Sequence, residues 1–153
     1  MRVTKCKLSA VDLDQIERLT KRVSIQIGAD TITRSVMVRA LLLKGLDLTK
    51  ARELSGTHLA HDEPLQRVSF RLNAAAMARL DELLTLIQQQ RTNSCATFTN
   101  IQRPIILMAL AEVETGTCFM GFCQTVRLWL PPPSTKMQFA PRGRRQLGAE
   151  YDR

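Results

Sequence analysis

Aromatic side chains are scarce: one tryptophan, one tyrosine and five phenylalanines among 153 residues. That is too few for a single-strand binder built on stacking platforms. There is no run of 18 apolar residues, so no membrane span is expected. Met1 to Lys7 lead directly into a partly acidic amphipathic stretch, without the apolar core of a secretory signal; a cytoplasmic location is expected. The two histidines, His58 and His61, stand beside Asp62 and Glu63 with no second ligand pair. They read as solvated loop, and no metal site is expected. Cys6, Cys95, Cys118 and Cys123 match neither a zinc ribbon nor a disulfide framework, and most are expected to be small buried hydrophobes. No nucleophile–base pair, paired catalytic carboxylates or phosphate-cradling glycine loop is found. An enzyme is therefore not expected, nor a cofactor.

What is present is positive charge and repetition. Lysine and arginine number 22 against 14 acids, a formal charge of +8. A polyanionic partner is implied, nucleic acid before an anionic membrane surface. The length suits one compact domain, or two very small units sharing a core. Two such units are visible: Lys5–Leu19 aligns without a gap on Ser69–Leu83, 64 residues later. Leu8 meets Leu72, Leu13 meets Met77, Ile16 meets Leu80, Leu19 meets Leu83 and Val23 meets Ile87, while Ser9 meets Asn73 and Glu17 meets Asp81.

Each unit opens with alternation. Cys6 and Leu8 share one face and Lys5 and Lys7 the other. Val68, Phe70 and Leu72 oppose Arg67, Ser69 and Arg71. Period two over five or six residues predicts a short, half-buried strand. Ser9 and Asn73 follow at the place of a helix N-cap. Two helices then follow in each unit. The first carries Leu13, Ile16, Leu19 and Val23, or Met77, Leu80, Leu83 or Leu84, and Ile87, as one apolar stripe. The second starts near Thr33 in unit one. In unit two it starts near Thr99 or Asn100, an offset of about 66 or 67, with Pro104 in the first turn. The divisions are residues 1–48, a linker at 49–65 with Leu48 to Leu54 able to extend the helix, a second unit at 66–115, and a C-terminal extension at 116–153. Within the extension, Phe119 to Leu130 has room for one strand. Pro131-Pro132-Pro133 is a stiff break, and Arg142-Gly143-Arg144-Arg145 a basic, disordered tail.

One strand and two helices cannot bury their own apolar faces. Two units can pair strand to strand and interlock four helices. The result is mainly α, with a two-stranded antiparallel ribbon whose solvent face carries Lys5, Lys7, Arg67, Ser69 and Arg71. Such a ribbon fits the major groove of B-DNA, where arginine and lysine reach guanine O6 and N7.

Order and spacing resemble the ribbon-helix-helix superfamily of the methionine and Arc repressors. The resemblance is carried by Lys5-Cys6-Lys7-Leu8-Ser9, by Val68–Asn73 and, most closely, by Thr33–Leu46 in the second helix. It covers about residues 3–48 and 66–114. Two units in one chain resemble the tandem, pseudo-dimeric form, similar to accessory DNA-binding proteins of T-DNA and plasmid conjugative transfer. The resemblance implies base reading by Lys5, Lys7, Ser69 and Arg71, with Arg67 at the ribbon edge. It implies phosphate contacts at Thr33, Arg34, Ser35, Thr99 and Asn100. The expected partner is double-stranded DNA. The expected role is transcriptional repression or a transfer accessory, acting as a monomeric pseudo-dimer able to assemble further on DNA. Lys-x-Lys in one half-ribbon and Ser-x-Arg in the other imply an asymmetric or imperfectly repeated site. One rival is a protein-interaction module, an antitoxin or adapter whose partner binds residues 116–153. Another is an all-helical scaffold with no ribbon.

Overall fold

A computed structural model describes residues 2–29, 31–49, 64–89 and 96–130. Its elements are β1 (Arg2–Ser9), α1 (Ala10–Ile27), α2 (Arg34–Leu48), β2 (Leu65–Leu72), α3 (Ala74–Gln88), α4 (Gln102–Thr115) and α5 (Phe119–Leu128). The chain is mainly helical with one two-stranded antiparallel sheet, in which Arg2 faces Leu72 and Ser9 faces Leu65. The ribbon excludes the all-helical alternative. His58, His61, Cys95, residues 50–63 of the linker and the basic tail lie outside the described residues.

Local signals set the helix ends. Ser9 and Asp12 form a capping box on α1: the Ser9 Oγ accepts from the Asp12 N–H at 3.2 Å, and the Ser9 N–H donates to Asp12 Oδ2 at 3.0 Å. Gly28 ends α1 at φ 70°, a left-handed conformation that glycine adopts without steric cost. The Asn73 side chain accepts from the Ala76 N–H at 2.8 Å to start α3.

The second helix begins as expected in unit one and differently in unit two. Thr33 caps α2, its hydroxyl accepting from the Val36 N–H and its carbonyl from the Met37 N–H. In the second unit α4 follows Ile101 with no side-chain cap, and the capping bonds expected at Thr99 or Asn100 are made one turn earlier, at Thr97. The Thr97 N–H donates to Asn100 Oδ1 at 2.6 Å, the Asn100 N–H to Thr97 Oγ1 at 3.1 Å, and the Ile101 N–H to the Thr97 carbonyl. This helical turn precedes α4, because Pro104 has no N–H to offer the Asn100 carbonyl four residues back. The two helices themselves start 68 residues apart, at Arg34 and Gln102, close to the expected 66 or 67, while the capping threonines Thr33 and Thr97 stand 64 apart. The same spacing relates the buried pairs Leu41 and Ile105, Leu42 and Ile106, and Leu46 and Leu110.

The apolar face of the ribbon, with Cys6, Leu8, Val68, Phe70 and Leu72, lies on a core supplied by all five helices. α2 packs on β2 and α4 packs on β1, while α2 and α4 cross each other. They approach closely at Gly45, where an added Cβ would collide with the Ile105 carbonyl oxygen. The stretch read as a strand, Phe119 to Leu130, is helical from Phe119 to Leu128. Phe122, Cys123 and Val126 recur at helical spacing and are buried, and α5 packs on α1, α2 and α4. No helix among the described residues is long and apolar enough to cross a membrane.

Candidate nucleic-acid interface

Alternation divides the ribbon into two chemically distinct faces. Three cross-strand rows make the outer one: Val3 opposite Arg71, Lys5 opposite Ser69, and Lys7 opposite Arg67. All six residues are exposed. None is acidic, and directly opposed like charges such as Lys7 and Arg67 destabilise a strand pair in isolation. The expected base-reading residues thus come together on one strip. Val3, 66% exposed, joins them. Its signal in the sequence was the same period that selected Lys5 and Lys7, extended by one step.

A two-stranded ribbon has two open edges, and the second helices cover both near their N-termini. The Ser35 hydroxyl donates to the Ser69 carbonyl at 2.8 Å. The Gln102 side-chain amide donates to the Lys5 carbonyl at 3.2 Å and to the Phe98 carbonyl at 2.9 Å. The two central residues of the outer face are therefore held from opposite sides, each by the other unit's second helix. Gln102 is fully buried and its Oε1 has no partner among the described residues.

Of the expected phosphate-contacting residues, Thr33, Arg34 and Ser35 gather at the N-terminus of α2, all exposed. Thr99 and Asn100 lie inside the turn before α4, both half-buried. Their side chains serve the fold more than expected: Thr33 Oγ1 and Asn100 Oδ1 accept cap bonds, and the Ser35 hydroxyl holds Ser69. The backbone N–H groups of Arg34 and Ser35, and of Phe98 and Thr99, precede the first intrahelical acceptor of their turns, and are thus directed at whatever lies beyond the helix ends. Sequence reasoning missed Thr97; its signal was the 64-residue spacing from Thr33.

A shallow depression beside the ribbon is lined by Val3, Ser35, Val36, Arg39, Ser69, Phe70 and Arg71. Arg39 lies with its guanidinium carbon 4.5 Å above the Trp129 ring. The corresponding arginine of α4, Arg103, reaches Asp12 through Nε at 2.7 Å and Nη2 at 3.3 Å. Burial raises the Asp12 carboxyl, but its bonds to Arg103 and to Ser9 outweigh that and hold it below its ordinary value. Cys6, beneath the ribbon, is pushed up to about 12 by burial, so its thiol stays protonated and packs as a small hydrophobe. No family model matches the chain, and no curated protein or solved structure matches it.

Proposed function

We propose that this chain binds double-stranded DNA, laying the outer face of its ribbon in the major groove and setting its second-helix N-termini against the flanking phosphates. The observation that carries the reading is the outer strip itself: four cations, one hydroxyl and one valine in three rows, with no acid among them. A two-stranded ribbon has the width the major groove admits. A polyanion on that strip offsets the repulsion between Lys7 and Arg67. The helix N-termini on both sides of the strip offer backbone N–H groups suited to phosphate.

In this reading the two units are the halves of a pseudo-dimer. Capping residues 64 apart, buried pairs at the same spacing, and the exchange of helix–strand contacts between units all support it. Lys5 pairs with Ser69, its own counterpart at that spacing, as a two-fold axis through the ribbon centre requires. The rows on either side of that pair differ, one Val3–Arg71 and the other Lys7–Arg67, so the bound sequence is asymmetric. Transcriptional repression and the marking of a transfer-origin-like site both use such a ribbon.

Selecting duplexes from a random pool tests the proposal. The chain should enrich a non-palindromic sequence. Arg71 carries a guanidinium on the outer face and is the candidate for a bidentate guanine contact. Arg71→Ala should weaken the preferred site by about 1–3 kcal/mol and relax the preference at one base pair. A pool that shows no enrichment, with no retention of duplex at low salt, sinks the reading.

A further inference from the structure

Of the six residues in the three outer rows of the ribbon, five are charged or carry a hydroxyl; the sixth is Val3. Strand alternation sets it on the face opposite Cys6 and Leu8, and it is 66% exposed. An apolar residue stands at this place in one half only. Across the 64-residue spacing Val3 corresponds to Arg67, and Lys7 to Arg71. The end rows of the strip therefore differ in kind. One sets a cation against a cation, Lys7 opposite Arg67; the other sets a cation against a branched hydrocarbon, Arg71 opposite Val3. At that second end the ribbon borders the shallow depression, which Val3 lines together with the half-buried Val36 and the buried Phe70.

We infer that Val3 is a specificity-determining residue that reads the 5-methyl group of a thymine in the major groove, close to the base pair engaged by Arg71. The inference rests on the DNA-binding reading above and names one base of the sequence that the ribbon selects. The thymine methyl is the apolar mark in the major-groove code; the other marks are hydrogen-bond donors and acceptors. Lys5, Lys7, Arg67 and Arg71 offer donors alone, which suit acceptors such as guanine O6 and N7. The Val3 side chain offers neither donor nor acceptor. Against a cytosine amino group it leaves the donor without a partner. Against a methyl group it removes apolar surface from water on both sides. Directly opposed residues of an antiparallel pair have Cβ atoms about 4.5–5.5 Å apart, and base pairs follow one another at about 3.4 Å. Val3 and Arg71 therefore address base pairs within about two steps of each other. The other end of the strip carries a cation, Arg67, in the matching place, so the methyl contact belongs to one end.

Binding of the full chain to duplexes from the random-pool selection tests this, with each thymine replaced in turn by deoxyuridine. The replacement removes the 5-methyl group and keeps every donor and acceptor of the base. At one thymine, within about two steps of the base pair that Arg71→Ala relaxes, it should weaken wild-type binding about threefold to fivefold, the worth of one buried methyl. Cytosine at that place should bind better when methylated at C5. Val3→Ser should bind the thymine and deoxyuridine duplexes equally and keep the wild-type salt dependence, because no charge is lost. Val3→Arg copies the residue at the matching place of the other strand and should lose the methyl response as well. If no thymine near that base pair responds to deoxyuridine in the wild type, the inference falls and DNA binding stands. If either variant, folded by circular dichroism, keeps the full response, the methyl is read by another residue and the inference falls in the same way. A wild-type chain that enriches and holds no duplex at any salt overturns both readings.

Discussion

Asp12 serves two partners at once. Its carboxylate closes the capping box on Ser9 and receives the Arg103 guanidinium from the far end of the sequence. Removing one side of a largely buried pair leaves the other side unsatisfied, which costs about 3–5 kcal/mol when burial is complete. Arg103 keeps some exposure, so Asp12→Asn should cost about 2–3 kcal/mol in urea unfolding at neutral pH. The pH dependence has a definite sign. The unfolded carboxyl titrates near 3.8 and the folded one lower. Between those values the unfolded chain binds more protons, so stability falls as pH drops through that window. The wild type should therefore lose stability below about pH 4, and Asp12→Asn should show a flatter acid limb. Equal acid limbs would mean that the pair contributes nothing.

At the scale of elements, the α2–α4 crossing depends on a missing Cβ. Gly45→Ala places a methyl against the Ile105 backbone, and the helices must separate; about 1–3 kcal/mol should be lost in thermal or chemical unfolding. Gly121, exposed in α5 with nothing within 4 Å of an added Cβ, is the opposite case. Gly121→Ala should stabilise by about 0.5–1 kcal/mol through helix propensity alone. The cap of the second unit is tested in the same way. Thr97→Ala should cost about 1 kcal/mol, and Thr99→Ala much less, since no cap bond of that turn uses its hydroxyl. The reverse order would restore the start expected from the sequence.

For the whole molecule, cooperativity runs through exchanged contacts. A chain ending at Thr49 has β1 without β2, and α2 without β2 and α4, so its apolar faces have nothing to cover them. It should be unfolded or self-associated by light scattering and circular dichroism; a stable folded monomer would contradict the interlocking. The C-terminal helix adds Phe122, Cys123 and Val126 to the same core. A chain ending at Thr115 should keep the ribbon and four helices yet melt below one ending at Leu130, because it exposes the α1–α2 surface beneath α5.

The local patterns settled much of this before any packing was known. Alternation in Lys5–Leu8 and Arg67–Leu72 sorted the strand faces, and Ser9, Asn73 and Thr33 marked helix starts, because side-chain period and cap chemistry act over a few residues. The same locality explains the misses. Thr97-Phe98-Thr99-Asn100 contains two threonines, and which one caps depends on where the helix must begin to reach the Lys5 carbonyl. Phe119–Leu128 is short and apolar, and only the waiting α1–α2 surface decides helix over strand. Arg39 and Arg103 are alike in sequence. One is held by Asp12, 91 positions away, and the other by the single tryptophan, 90 positions away, because contacts between distant segments are made by the tertiary fold and leave no periodic trace in the chain.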